Sequence, residues 1–334
     1  MMDGLRELVG AVSVGTERRC RKGRGLGIWS RVKVPSDASY LWRFDARLLG
    51  LLAPVLVGFC LSGCGGGSSR QVIQNKGSDT LVNVAQTWAE RYREINPNVA
   101  VAVSGGGSGT GISALINGTV DIANCSRKMT PAEVEQARKN GIEPVEFVVG
   151  YDALAVYVHK GNPVKGLTIP QLAEIYGEGG TVETWPQLGI EVPGAKDGKI
   201  VRYSRQNNSG TYEYFKEAVL GKALEYKLGS LDMHGSKDVV ESVARTPGGI
   251  AYSGLAYATE HVRLVPIAKQ EGGTYIVPSV PTAIDGTYPI ARPLFMYTRG
   301  QPSGEIKKYL DWVLGVEGQR TLLEQGYAPV RKLD

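Results

Sequence analysis

Apolar and polar positions in the body of the chain alternate between helical and strand-like spacing. One predicted helical face has spacings of four, three, four and three residues and comprises Leu81, Ala85, Trp88, Tyr92 and Ile95. Other helices are predicted at 112–117, 131–141, 170–176, 210–220, 236–246, 304–314 and 317–325. Short apolar runs predict strands at 99–103, 120–123, 145–149, 154–159, 200–204, 250–253 and 294–298. This alternation is typical of α/β architecture.

Two helix starts carry capping signals. Thr130 and Glu133 have the spacing of a capping box, Pro131 fits the first helical position, and Gly141 fits the end of that helix. Ser236 is predicted to cap a later helix.

Residues 48–63 form an apolar run that follows Arg43 and Arg47. A basic segment before such a run is typical of an export signal, and the run is shorter than the roughly 20 residues of a membrane-spanning helix. It ends in 61–64, Leu-Ser-Gly-Cys, which resembles the bacterial lipobox. Cleavage before Cys64 would leave a lipid-modified cysteine on a Gly/Ser tether. The alternative is a plain secretory signal that is cut elsewhere.

The segment 1–40 fits no part of an export signal. A true translation start near Val34 or Leu41 is one interpretation, and a cytoplasmic lead is the other. After cleavage only Cys64 and Cys125 remain. With Cys64 lipidated, Cys125 has no partner, so no intramolecular disulfide is expected.

Charge is concentrated at the N-terminus. Residues 1–63 hold ten Lys/Arg and five Asp/Glu, which accounts for the whole net charge of +5. The remainder is therefore neutral, which argues against nucleic-acid binding because that function needs a basic face.

Three loops rich in Gly, Ser and Thr, at 77–81, 104–111 and 205–211, each lead into a predicted helix. A helix start presents free backbone N–H groups and a positive dipole end, and Ser and Thr add hydroxyl donors. Such loops suit a dehydrated oxyanion. The second loop lacks the Gly-Lys-Ser/Thr ending of a nucleotide-binding P-loop and the acidic residue of a dinucleotide fingerprint.

These loops resemble those of the phosphate-binding protein of bacterial ABC phosphate importers, and the resemblance covers nearly all of 71–334. The most specific match is RQNNSGT at 205–211, which is similar to that family's Arg-x-x-x-Ser-Gly-Thr motif. The other matching segments are GSDTL (77–81), VSGGGSGTGI (103–112), VDIANCSR (120–127), PGGIAYSGLAYA (247–258) and YPIARPLFMYT (288–298).

The resemblance implies a type II periplasmic binding protein, an α/β fold with mixed sheets flanked by helices and a ligand cleft between two lobes. The implied division is a leader at 1–63, a tether at 64–70, a first lobe at 71–151 and 254–334, and a second lobe at 152–253. The implied role is that of a monomeric receptor, anchored by lipid on Cys64 in the periplasm or at the cell surface. It would hand inorganic phosphate to an ABC permease.

The phosphate ligands that the resemblance implies are Thr80, Leu81, Ser108, Ser126, Arg205, Ser209, Gly210 and Thr211, and Arg127 is a further candidate at a position where this chain departs from the family. In the matching motifs Thr80 and Ser108 offer a hydroxyl and an N–H, and Arg205 offers a charge-assisted contact. Ligands from both lobes would couple binding to closure of the cleft.

One position departs from the family pattern. Well-known members have an Asp after the Ser of the third ligand loop, and it accepts the proton of hydrogen phosphate; here the pair is Ser126-Arg127. An arginine accepts no hydrogen bond. Arg127 either adds positive charge to the site or points to solvent. Asp79 or Asp152 could supply the acceptor, although each also fits a capping or strand-end carboxylate.

Two other function classes are compatible with loops that bind an oxyanion. A receptor for another tetrahedral oxyanion, such as sulfate, is the first alternative, and a secreted phosphotransfer enzyme or phosphatase is the second. An enzyme needs a nucleophile with a base or metals, and neither Ser108 nor Ser209 has such a partner in the sequence. The three histidines lack metal-ligand spacing, so no metal, cofactor or catalytic residue is expected.

Overall fold

The computed structural model describes residues 70–333 of the chain. The predicted leader, the lipobox with Cys64 and most of the tether lie outside these residues. Within them, none of the helices has the length and apolar character required to cross a membrane.

Strands and helices alternate for most of the described length, which confirms the predicted α/β class. The strands within 70–333 are β1 Gln71–Gly77, β2 Val99–Ser104, β3 Ile122–Cys125, β4 Val145–His159, β5 Leu167–Thr168, β6 Val201–Arg205, β7 Leu231–Met233, β8 Gly249–Gly254, β9 Val262–Val265, β10 Ile267–Ala268 and β11 Ala291–Thr298. The α-helices in the same range are α1 Val82–Ile95, α2 Ser108–Ile116, α3 Pro131–Lys139, α4 Ile169–Tyr176, α5 Gly210–Phe215, α6 Ser236–Ala244, α7 Val280–Ile284, α8 Gly304–Leu314 and α9 Val316–Glu324. A π-helical turn, Lys216–Leu220, continues α5.

A nine-stranded mixed sheet runs through the described residues in the order β2-β1-β3-β11-β4-β8-β6-β7, and β9 also pairs with β4. Strand β4 changes partner along its length: up to Ala153 it pairs with β11, and from Leu154 it pairs with β8 and β9. The sequence predicts two separate strands here. They are continuous because residues 150–153 also pair with β11, an arrangement that an apolar pattern does not reveal.

The first half of this sheet comprises β2, β1, β3, β11 and β4 up to Ala153, and the second half comprises the rest of β4 with β8, β9, β6 and β7. Each half has buried apolar clusters of its own. Trp88, Leu294 and Tyr309 belong to the core between the first half and helices α1, α8 and α9. Trp185 and Phe215 belong to the core of the second half, which helices α4 and α5 cover. Close packing on both sides holds the intervening loops on rigid elements.

The local signals agree with the structure at some helix starts and not at others. The Thr130 capping box is present, with Pro131 as the first residue of α3. Ser236 is not a cap but the first residue of α6; Gly235 precedes it, and the Gly235 N–H donates to the Asp238 carboxylate at 3.0 Å. Ile95, predicted on the buried face of α1, is exposed.

Candidate functional site

The loops that follow the parallel strands of the first half meet at one edge of the sheet. Strand β1 pairs in parallel with β2 and β3, so their carboxyl ends lie together. Ser78 follows β1, Ser108 follows β2 and Ser126 follows β3, and all three side chains are buried. The Ser78 hydroxyl donates to Ser126 Oγ at 2.9 Å, and Ser108 Oγ lies 3.3 Å from Ser126 Oγ. The Ser126 N–H also donates to Ser108 Oγ at 3.0 Å.

Helix α5 of the second half begins directly against this serine group. A Cβ atom on Gly210 would lie 2.4 Å from Ser108 Oγ and 2.7 Å from Ser126 Oγ, so only glycine fits there. Ser209 is the N-cap of α5, and its Oγ accepts from the Thr211 N–H at 3.1 Å. Thr211 Oγ1 lies 3.0 Å from Thr80 Oγ1. Predicted ligands from both halves of the sheet are therefore in direct contact.

A second contact between the halves involves Asn208 and the glycine-rich loop after β2. The Gly109 N–H donates to the Asn208 carbonyl at 2.9 Å, and Asn208 Nδ2 donates to the Gly106 carbonyl at 3.1 Å. Gly107 has φ +91°, and a Cβ there would lie 2.7 Å from the Asn208 carbonyl oxygen. The glycines in this loop allow the two backbones to approach closely.

Arg205 lies at the end of β6, fully buried, and makes three hydrogen bonds within the protein. Nη2 donates to Asp79 Oδ2 and to the His234 carbonyl, and Nη1 donates to Ser236 Oγ, each at 2.9 Å. Its buried Nε has no partner among residues 70–333. Burial lowers the pKa of Arg205, and the Asp79 carboxylate opposes that shift. A buried N–H without a partner is costly, so this donor is available to a bound ligand. The buried Nε atoms of Arg127, Arg202 and Arg263 also have no partner among these residues, so the position of Arg205 beside Asp79 and the hydroxyl group is what distinguishes it.

Asp79 has both carboxylate oxygens engaged. Oδ2 accepts from Arg205, and Oδ1 accepts from the Gly106 N–H at 2.8 Å. The Asp79 side chain is 11% exposed. The hydroxyl of Tyr257 donates to the Asp79 carbonyl at 2.5 Å. Asp79 thus joins the loop after β1 to an arginine in the second half.

Arg292 was not among the predicted site residues, yet it lies at the centre of the group. It is directly opposite Asp152 in the β4–β11 pairing, and the two side chains form an ion pair at 2.9 Å with no exposed side-chain surface. Arg292 also donates to Thr80 Oγ1, Thr211 Oγ1 and the carbonyls of Ser126 and Gly210. A charged residue inside the apolar segment at 288–298 was the available sequence signal.

Asp152 is the other predicted acceptor. Arg292 lies between its carboxylate and the hydroxyls of Thr80 and Thr211 and donates to all three groups. Its Oδ2 accepts from Arg292 Nε at 3.2 Å and Nη2 at 2.9 Å, and its Oδ1 accepts from the Leu255 N–H at 3.3 Å. Burial raises the pKa of Asp152, and the adjacent Arg292 offsets part of that shift.

Two predicted ligands have donors that are committed elsewhere, although the buried Nε of Arg127 has no partner among residues 70–333. The guanidinium of Arg127 donates to both oxygens of Glu133 at 2.8 Å, and this pairing raises the pKa of Arg127 against the effect of burial. The side chain of Arg127 is 14% exposed, so it neither points freely to solvent nor joins the serine group. The Leu81 N–H donates to the Ser78 carbonyl at 3.0 Å.

Several known proteins are similar to this chain. A family model described as a PBP superfamily domain matches residues 65–317. The phosphate-binding protein PstS of Pseudomonas aeruginosa is 37% identical over 269 residues, which cover 77% of this chain and 83% of the relative. The protein SphX of Synechococcus elongatus is 34% identical over 273 residues, which cover 79% of each chain.

Solved structures show the same architecture. A putative phosphate ABC transporter substrate-binding protein with bound phosphate from Clostridium perfringens matches with a TM-score of 0.69 and 27% identity, covering 78% of this chain and 100% of the other. An ABC-type phosphate transport receptor from Vibrio cholerae matches with a TM-score of 0.61 and 25% identity, covering 77% and 99%. The two-lobe fold that the sequence resemblance implies is therefore confirmed. This chain belongs to the PBP superfamily and, within it, to the family of the PstS phosphate-binding proteins.

Proposed function

We propose that this protein binds inorganic phosphate outside the cytoplasm and delivers it to the permease of an ABC importer. One observation carries the proposal: five buried hydroxyl side chains and two buried arginines form one connected group, in which Arg205 keeps an unpartnered Nε among residues 70–333. The hydroxyls belong to Ser78, Thr80, Ser108, Ser126 and Thr211. The name of the Pseudomonas relative and the phosphate in the Clostridium structure support the same ligand.

The chemistry of this group suits a dehydrated tetrahedral anion. Arg205 is balanced by Asp79 and Arg292 by Asp152, so the four charged side chains sum to zero. Hydroxyls and N–H groups fixed in direction, rather than excess positive charge, would hold the ligand. Gly210 supplies backbone at a helix start, where a side chain would collide with Ser108.

We assign the acceptor for the proton of hydrogen phosphate to Asp79. Its carboxylate contacts Arg205 directly, whereas the contacts of Asp152 reach the hydroxyls through Arg292. Sulfate carries no proton at neutral pH, so it would face an unpaired, repelling lone pair at Asp79. Without such an acceptor the protein would be a general oxyanion receptor, which is the alternative function.

Binding is proposed to close two lobes, residues 71–151 with 254–334 and residues 152–253, because the site takes side chains from both. The contacts of Asn208 with the loop after β2 would form only in the closed state. Lipid on Cys64 would keep this monomeric receptor at the membrane, in the periplasm or at the cell surface.

The proposed role is not enzymatic. In the described part of the chain the hydroxyls of Ser108 and Ser209 contact hydroxyl and backbone groups, so no general base adjoins them. Residues 70–333 also hold no group of three or more His, Cys, Asp or Glu side chains that could bind a metal ion.

Calorimetric titration of the purified full chain, dialysed free of phosphate, with phosphate, arsenate and sulfate tests the proposal. Phosphate should bind most tightly, and arsenate should follow because it shares the shape and the proton. Sulfate that competes at near-equal concentration would establish the general oxyanion receptor instead. Absence of heat and of competition with all three anions would reject the function.

A further inference from the structure

We propose that Arg292 is a positioning residue that turns the hydroxyls of Thr80 and Thr211 into donors for the bound anion. This inference rests on the proposed function. It concerns a side chain that the sequence resemblance does not include among the ligands, and it follows from the hydrogen-bond inventory of the guanidinium.

All donors of Arg292 are used within the protein. A guanidinium carries five N–H hydrogens. Nε and Nη2 donate to Asp152; Nη1 donates to the carbonyls of Ser126 at 3.1 Å and Gly210 at 3.4 Å. The remaining Nη2 hydrogen is shared between Thr80 Oγ1 at 3.2 Å and Thr211 Oγ1 at 3.0 Å. Arg292 therefore has no hydrogen left for a ligand, in contrast to Arg205 with its unpartnered Nε.

The contacts of Arg292 fix which way the hydroxyl hydrogens of Thr80 and Thr211 can point. A hydroxyl has one hydrogen to donate and two lone pairs that accept. Because Arg292 only donates, both threonine oxygens accept from it. The 3.0 Å separation of Thr80 Oγ1 and Thr211 Oγ1 uses one of their two hydrogens. The second hydrogen has no acceptor within residues 70–333, so the pair presents a donor and suits an anion.

The guanidinium is held firmly enough to impose this direction. Asp152 pairs with it from the adjacent strand, and the ring of Tyr214 lies 5.6 Å from its central carbon atom. Arg292 also joins carbonyls from both halves of the sheet, those of Ser126 and Gly210. A purely structural ion pair would account for the contact with Asp152 but not for the contacts with the two threonines.

A double-mutant cycle tests the inference. Phosphate affinity is measured by calorimetry for the full-length wild type, Arg292→Lys, Thr211→Val and the double variant. Lysine keeps the charge beside Asp152 but lacks the planar fork. Each single change should weaken binding roughly tenfold, the scale of one hydrogen bond to a charged group. The double change should cost little more than either single one, because without Arg292 the Thr211 hydroxyl is no longer directed.

The control is Arg299→Lys. Arg299 lies just beyond the end of β11 and pairs with Asp121 at the surface, so this change should leave the phosphate affinity unchanged. The assignment would be overturned if the loss of affinity in the double variant equalled the product of the two single losses, or if Arg292→Lys bound phosphate with wild-type affinity. If Arg292→Lys does not fold, the paired change Asp152→Asn with Arg292→Gln removes both charges and takes its place in the cycle. A wild type that fails to bind phosphate would instead reject the proposed function.

Discussion

Arg205→Ala is the most direct perturbation of the proposed site. The side chain is fully buried, and its unpartnered Nε is a donor that we propose for the anion. Loss of one charge-assisted hydrogen bond costs roughly 1.5–3 kcal/mol, which corresponds to roughly ten- to a hundredfold weaker phosphate binding. The change also leaves Asp79, only 11% exposed, without its cation. That unpaired carboxylate would repel the anion, so the measured loss should lie toward the upper end.

Isothermal titration with phosphate measures this loss directly. Thermal unfolding of the same samples separates weaker binding from a folding defect, since breaking a buried ion pair by removing one partner costs roughly 3–5 kcal/mol of stability. Arg202→Ala is the matched control: it lies on the same strand and pairs with Glu183 at 2.6 Å, outside the site. It should lower stability without changing phosphate affinity.

A second change isolates the electrostatic part of the effect. Adding Asp79→Asn to Arg205→Ala removes the uncompensated charge and should restore part of the lost affinity. Wild-type phosphate affinity in a folded Arg205→Ala protein would refute the reasoning and move the site elsewhere. No recovery in the double variant would show that relief of the repulsion does not exceed the loss of the proton acceptor at Asp79.

Three further predictions address selectivity, closure and attachment. Asp79→Asn should narrow the preference for phosphate over sulfate in competition titrations, and an unchanged ratio would remove Asp79 as the acceptor. Asn208→Ala loses the hydrogen bond to Gly106 and should weaken phosphate binding roughly two- to tenfold, seen as faster dissociation in stopped-flow experiments. The control is Asn207→Ala, which changes the exposed neighbouring residue. Equal rates of phosphate dissociation in both variants would contradict a role of Asn208 in closure of the cleft. Cys64→Ser should move the protein from the membrane to the soluble fraction. A mass spectrum in which the wild-type protein carries no lipid would exclude the anchor.

The sequence by itself determined the fold class, most of the longer helices and strands and the candidate ligand loops, whereas it did not predict the strands β1, β7 and β9. Periodic apolar positions identified α1, because burial of one face imposes a helical repeat, and the Thr130 capping box with Pro131 identified α3. Glycine, serine and threonine before helix starts identified the candidate ligand loops, because these residue types satisfy free N–H groups and permit close approach. The motif at 205–211 also identified the family, which the comparisons confirm.

The tertiary structure decided which side chains meet. The contact of Arg292 with Asp152 depends on the register between strands separated by more than a hundred residues, and no local pattern encodes that register. Arg127 and Arg205 are both arginines in candidate ligand loops, yet Glu133 pairs with Arg127 beside helix α3, whereas Asp79 pairs with Arg205 next to the buried hydroxyl group. A residue type fixes which hydrogen bonds are available. Packing of distant segments fixes which of them are already used, and so which remain for a ligand.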